Sequence, residues 1–115
     1  MAVPKRLICS GEELVEGGRG VRFDIDRYGV TEPCFVVRHL GVPRAYVNRC
    51  GHMPVELDWR HGEFFDSSGL YLICATHGAL YAPEDGRCLL GRCNGKGLQV
   101  LAVCEIDGQI LLEEA

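Results

Sequence analysis

The sequence has no long hydrophobic run and no excess of basic residues. It contains no stretch of 18 apolar residues, and residues 1–6 lack the apolar segment of an export signal. Twelve basic and 16 acidic residues give a net charge of −4, spread along the chain, which disfavours nucleic acid as a partner. The sequence therefore predicts a soluble, cytoplasmic protein that binds neither membrane nor nucleic acid.

Recognisable catalytic patterns are also missing. The sequence shows no set of Ser, His and Asp residues typical of hydrolases and no phosphate-binding glycine loop. Its 115 residues fit one domain, which we expect to span residues 1–115 and to have no enzymatic activity of its own.

What the chain does have is short hydrophobic segments separated by glycine and proline. Fifteen Gly and five Pro punctuate segments rich in Val, Ile, Leu, Tyr and Phe, which is typical of an all-β domain. The predicted strands are Lys5–Cys9, Val21–Asp26, Cys34–His39, Arg44–Asn48, Leu70–Ile73, Ala79–Tyr81, Leu98–Ile106 and Gln109–Glu113. Asp107-Gly108 predicts a hairpin between the last two, and Ser10 with Glu13 predicts one capped helical turn.

Two Cys-His pairs are the strongest functional signal. Cys50 and His52 form the first pair, and Cys74 and His77 form the second, each in a segment predicted to be a loop next to a strand. Two thiolates and two imidazoles suit either an iron-sulfur cluster or a tetrahedral zinc site. A chance arrangement of two such pairs, each with a glycine within or after it, is improbable.

The pairs and their surroundings resemble small bacterial Rieske-type 2Fe-2S proteins. The resemblance covers the segments C-G-H-M-P-V-E-L-D-W, F-F-D-S-S-G-L-Y-L-I-C-A-T-H-G-A-L-Y and E-D-G-R-C, from Cys50 to about residue 97. It implies a fold of three small antiparallel sheets, in which a cluster-binding subdomain of about residues 46–83 is inserted into a base built from both chain ends. It also implies one 2Fe-2S cluster, with one iron held by Cys50 and Cys74 and the other by His52 and His77.

The same resemblance suggests three residues around the cluster. Gly78 follows the last ligand and allows unusual backbone dihedrals. Tyr81 stands where the family has a tyrosine hydroxyl that donates to sulfur, although packing in a strand is an equal alternative. Arg92 takes the place of a proline in the turn that covers the cluster, and Ala79 takes the place of a serine.

The function implied is one-electron transfer, as a ferredoxin that passes electrons from a reductase to an oxygenase or another redox enzyme. The partners expected are therefore redox proteins. A non-catalytic small subunit, similar to the Rieske-like subunit of assimilatory nitrite reductase, is the alternative.

Other Cys, His and Trp residues are expected to have structural or no roles. Free Cys residues in strands usually act as small buried hydrophobes. This predicts packing roles for Cys9, Cys34 and Cys104. Cys88 and Cys93 are close enough in sequence for a disulfide, but a reducing cytosol favours free thiols at both positions. We expect His39 and His61 to be solvated, and Trp59 to pack beneath the subdomain.

Overall fold

The computed structural model describes residues 5–50, 55–58, 60–76, 78–91 and 97–113. The strands are β1 (Lys5–Ser10), β2 (Val21–Arg27), β3 (Val30–His39), β4 (Val42–Val47), β5 (Leu72–Ile73), β6 (Leu80–Tyr81), β7 (Cys88–Leu90), β8 (Val100–Leu101), β9 (Val103–Ile106) and β10 (Gln109–Glu113). They form three antiparallel sheets, which confirms the predicted fold class. Within these residues, no helix is long and apolar enough to cross a membrane.

The first sheet joins the two ends of the chain in the order β1-β10-β9. The predicted hairpin turn between β9 and β10 is present, with positive φ angles at Asp107 and Gly108. The predicted helical turn is also present, as a 3-10 helix over Gly11–Glu13. Ser10 caps it, since its hydroxyl accepts from the Glu12 N–H and its own N–H donates to the Glu13 carboxylate.

The second sheet has the order β2-β3-β4-β8 and forms the centre of the base. Residues 34–37 of β3 are completely buried on both faces. β3 begins at Val30, four residues before the predicted start at Cys34, because a two-residue turn connects it directly to β2. The strand predicted over Leu98–Ile106 is in fact two, since Ala102 separates β8, which pairs with β4, from β9 in the first sheet.

The third sheet, β5-β6-β7, carries the second Cys-His segment between its first two strands. An isolated bridge between Phe65 and Leu72 extends it. β7 was not predicted, and it carries this sheet to Leu90, seven residues past the expected limit of the subdomain at about residue 83.

A single apolar core joins the second and third sheets. Phe35 of β3 stacks on Phe64 with ring centroids 3.9 Å apart and planes 12° apart. Both rings are fully buried, and the same core includes Leu57, Leu72 and Tyr81. The third sheet therefore rests on the base through continuous packing.

Two polar contacts within the base were not foreseen. Arg38 of β3 forms an ion pair with Glu105 of β9 at 2.9 Å, which ties the second sheet to the first. His39 is buried, and its Nε2 lies 2.6 Å from Glu84 Oε1. The prediction that His39 is solvated is therefore wrong, because its partner comes from a distant part of the chain; His61 is exposed, as predicted.

Candidate metal centre

The first predicted ligand segment leaves the end of β4 and turns back on itself. Cys50 is buried, and its N–H donates to the Val55 carbonyl at 2.8 Å. This bond joins the residues on either side of segment 51–54, which contains the predicted ligand His52 and lies outside the described residues. Cys50 is thus held at the root of a short loop by its own backbone.

The second ligand segment is a tight loop between β5 and β6. The Cys74 N–H donates to the Ala79 carbonyl at 2.9 Å, and the Gly78 N–H donates to the Cys74 carbonyl at 2.8 Å. Gly78 has φ = 73°, a conformation that residues with a Cβ rarely adopt, and its role beside the cluster stays a prediction. Cys74 is completely buried, whereas His77 lies outside the described residues.

A backbone hydrogen bond brings the two ligand segments together. The Ala75 N–H, directly after Cys74, donates to the Leu57 carbonyl at 2.9 Å, and Leu57 follows the loop that Cys50 begins. Cys50 and Cys74 belong to the same buried core. The two thiols therefore lie at the roots of two connected loops.

Tyr81 reaches from β6 to the sulfur of the first loop. Its hydroxyl lies 3.2 Å from Cys50 Sγ, and its ring is completely buried. The ring packs in the core, which is one of the two alternatives for this residue. Its hydroxyl also contacts sulfur, and its role towards the cluster stays a prediction. A tyrosine hydroxyl next to a metal-bound thiolate is a hydrogen-bond donor, because the thiolate has no proton to give.

Gly91, directly after β7, lies close to Ala79 of the second loop. Gly91 has φ = 112°, and a Cβ atom at this position would be 3.0 Å from both Cα and Cβ of Ala79. Glycine is therefore favoured at position 91 for two reasons, the backbone conformation and the close approach to Ala79. Arg92 and the remainder of the predicted covering turn lie outside the described residues.

A protein-family comparison identifies the chain. Residues 6–105 match the family described as Rieske [2Fe-2S] domain. The chain belongs to the Rieske family. Its cofactor is therefore a 2Fe-2S cluster rather than zinc, and its function is electron transfer.

Solved Rieske structures share the fold across the whole chain. The ferredoxin of carbazole 1,9a-dioxygenase from Nocardioides aromaticivorans IC177 is 20% identical with a TM-score of 0.72, and the match covers 96% of this chain and 98% of that chain. The Sphingomonas yanoikuyae B1 ferredoxin is 17% identical with a TM-score of 0.74, covering 97% and 100%. The plasma membrane Rieske protein of Synechocystis PCC 6803 is 20% identical with a TM-score of 0.71, covering 95% and 99%. No curated protein matches the sequence significantly.

The described part of the site fits this cofactor. A Rieske cluster needs two Cys sulfurs, and Cys50 and Cys74 provide two buried sulfurs in a core that excludes water. Tyr81 adds a hydroxyl beside one sulfur. Within the described residues, no group of three or more His, Cys, Asp or Glu is placed to bind a metal ion, and two of the four predicted ligands lie outside this part of the chain.

The other cysteines divide into free thiols and a disulfide. Cys9 and Cys34 are buried and free, as predicted, and burial raises the pKa of each thiol to about 11. Cys104 is also free but only half-buried. Cys88 is disulfide-bonded, so the prediction of a free thiol there is wrong; it rested on the expected compartment and not on geometry. Cys93 and Trp59 lie outside the described residues.

Sequence reasoning missed a buried polar pair behind the first loop. Asn48 is 1% exposed and donates from Nδ2 to Asp58 Oδ1 at 2.9 Å. The Leu57 N–H donates to Asn48 Oδ1 at 2.8 Å, and the Gly62 N–H donates to Asp58 Oδ2 at 2.9 Å. The sequence signal was an Asn and an Asp flanking the first ligand segment, but only the fold shows that they meet.

Proposed function

We propose that this Rieske protein is a ferredoxin, which accepts one electron from a reductase and passes it to an oxygenase or another redox enzyme. In this proposal Cys50 and Cys74 bind one iron, and His52 and His77 bind the other. The observation that supports it best is the pair of buried thiols at the roots of two hydrogen-bonded loops, with the Tyr81 hydroxyl 3.2 Å from Cys50 Sγ.

The cluster supplies the redox chemistry, and the chain's residues control its surroundings. Burial of both cysteines keeps water away from their sulfurs. The Tyr81 hydroxyl donates a hydrogen bond that favours the more electron-rich reduced state. Because these features set the ease of electron gain and bind no substrate, we propose that the protein itself makes and breaks no covalent bonds.

The partner is proposed to dock at the end of the molecule that carries the ligand loops. Leu90 of β7 is 63% exposed and pairs across the sheet with Leu80 of β6, which follows the second loop. Leu89 is also exposed. A small apolar surface of this kind suits the limited, short-lived contacts of redox proteins. A relative in structure, from Nocardioides, is a ferredoxin of a dioxygenase, which supports an oxygenase as the partner class.

The docking proposal can be tested with two leucine variants. Leu90→Glu should slow electron delivery to the partner and leave the iron content unchanged. Leu7→Glu is the control, because Leu7 is similarly exposed, at 56%, but lies on β1 in the base. Equal rates for Leu90→Glu and the parent protein would contradict docking at this surface.

A cytoplasmic location is part of the same proposal. Within the described residues, the free thiols of Cys9, Cys34 and Cys104 fit a reducing compartment. The disulfide at Cys88 points the other way. Fractionation of the native host, with immunodetection of this protein, would place it directly.

The proposed ligand set is tested by comparing two fully buried cysteines. Cys74→Ser should abolish the visible absorption of the cluster and lower the iron content. Cys34→Ser is the matched control, because Cys34 is equally buried but lies in β3. Purified parent protein should take up one electron per chain from a flavin-dependent reductase in an anaerobic titration. Iron and absorption that survive in Cys74→Ser would remove this residue from the site, and a parent protein that accepts no electron would favour the non-catalytic subunit.

A further inference from the structure

We propose that Asn48 and Asp58 are positioning residues, which lock the two ligand loops together so that both present their side chains to one cluster. The inference rests on the proposed ligand set. It concerns the polypeptide behind the ligands and not the ligands themselves.

Asn48 is the connecting point, because its side chain uses both of its polar atoms. Its Nδ2 donates to Asp58 Oδ1, and its Oδ1 accepts from the Leu57 N–H. An aspartate at this position could accept but not donate, and a leucine could do neither. The contact therefore requires a donor on one of the two side chains facing an acceptor on the other, and an acceptor at position 48 for the Leu57 N–H.

The two loops are linked through Leu57. Asn48 lies two residues before Cys50, and it holds the Leu57 N–H at 2.8 Å. The Leu57 carbonyl accepts from the Ala75 N–H at 2.9 Å, and Ala75 follows Cys74. A chain of two hydrogen bonds thus runs from the root of the first ligand loop to the root of the second.

Asp58 fixes this arrangement to the rest of the fold. Its side chain is completely buried, and its Oδ2 accepts from the Gly62 N–H at 2.9 Å. Arg22 of β2 lies beside it, with Nε 3.5 Å from Oδ2, and also pairs with Glu56. The arginine balances the buried negative charge and connects the pair to the base.

Burial makes the pair effective at holding position. A buried hydrogen-bonding group that loses its partner regains no water, so opening the contact is costly. Where the pair is broken, we expect the equilibrium constant for loop opening to rise roughly tenfold or more. This is the change that loss of one buried hydrogen bond typically produces. The ligands would then be held less uniformly.

An exchange of the two side chains provides the test. Asn48→Asp places two carboxylates against each other, and Asp58→Asn leaves more donors than acceptors. The double variant Asn48→Asp/Asp58→Asn restores one donor facing one acceptor, keeps an acceptor for each of the Leu57 and Gly62 N–H groups, and keeps the net charge.

The first measurement is amide hydrogen exchange in the purified protein as isolated. Each single variant should speed exchange at the Ala75 N–H by roughly tenfold or more, and the double variant should return it close to the parent rate. The Gly11 N–H, which donates to the Gly108 carbonyl in the base, is the internal control and should not change. Unchanged exchange of the Ala75 N–H in both single variants would overturn the inference. So would a double variant in which the rate increases of the two single variants multiply.

The second measurement uses the cluster-loaded protein. The single variants should broaden the electron paramagnetic resonance signal of the reduced cluster and shift its reduction potential, and the double variant should restore both. If the single variants do not fold, a folded double variant with parental exchange rates supports the pairing, and an unfolded one overturns it. A parent protein that binds no 2Fe-2S cluster would refute the proposed function alone, because the exchange experiment needs no metal.

Discussion

The hydroxyl of Tyr81 offers the sharpest single-atom test of the site. It lies 3.2 Å from Cys50 Sγ, and the tyrosine ring is completely buried. Tyr81→Phe removes the oxygen and keeps the ring, so packing changes little. The variant should still bind the cluster, and its reduction potential should fall because the reduced state loses a hydrogen bond.

The size of the fall follows from hydrogen-bond energies. A hydrogen bond to a charged group contributes about 1.5–3 kcal/mol, and only the part that differs between the two redox states affects the potential. If that part is a third to a half, the difference is about 0.5–1.5 kcal/mol. For a one-electron couple 59 mV corresponds to about 1.4 kcal/mol, so the potential should fall by roughly 20–60 mV.

The assay is a redox titration followed by electron paramagnetic resonance, with Tyr46→Phe as the control. Tyr46 is also buried, but its hydroxyl donates to the Pro83 carbonyl instead of a sulfur. Tyr46→Phe should lower stability and leave the potential unchanged. A Tyr81→Phe potential equal to that of the parent, or an equal fall in both variants, would show that the hydroxyl does not act on the cluster.

Three further predictions concern the stability of the fold. The pKa of Cys34 is raised to about 11 by burial, so its contribution to stability is present below about pH 9 and is lost as the pH rises towards 11. Urea unfolding of Cys34→Ala should show a shallower alkaline decline than the parent, and part of the decline should remain because burial also raises the pKa of Cys9 to about 11. Arg38 lowers the pKa of Glu105 through a side-chain hydrogen bond, so the ionised Glu105 stabilises the fold above about pH 4.5. This contribution is lost as the pH falls further. The thermal midpoint of Glu105→Gln should therefore fall less steeply with acid than that of the parent. Gly91→Ala should cost roughly 1–3 kcal/mol in urea unfolding, because it combines a positive φ with a 3.0 Å approach to Ala79; an unfolding curve like that of the parent would contradict this reasoning.

Most of the sheet structure could be predicted because its signals are local. Gln109–Glu113 was predicted with its correct bounds, since Asp107-Gly108 is a typical hairpin turn. Tyr28 and Leu40 begin two further hairpin turns with φ near 50°, and their side chains gave no turn signal. β7 was missed because its three residues, two of them exposed leucines, show no alternation.

In the site, the features set by neighbouring residues could be predicted from the sequence, and the contacts between distant residues could not. The Cys-His spacing depends only on residues within each loop, which is why the pattern and the family could be identified. The contact between Tyr81 and Cys50 joins residues 31 positions apart, and that between Asn48 and Asp58 joins residues ten apart across a folded loop. No periodicity in the sequence encodes such contacts, because they arise only when the third sheet packs on the base.

We propose that two imidazoles and two thiolates hold one cluster. The most direct measurement is pulsed electron paramagnetic resonance of the reduced protein labelled with ¹⁵N only in histidine, together with iron analysis. We expect two irons per chain and hyperfine coupling from two directly bound imidazole nitrogens, and both should be lost when His52 and His77 are replaced. A cluster without strong ¹⁵N coupling would contradict it.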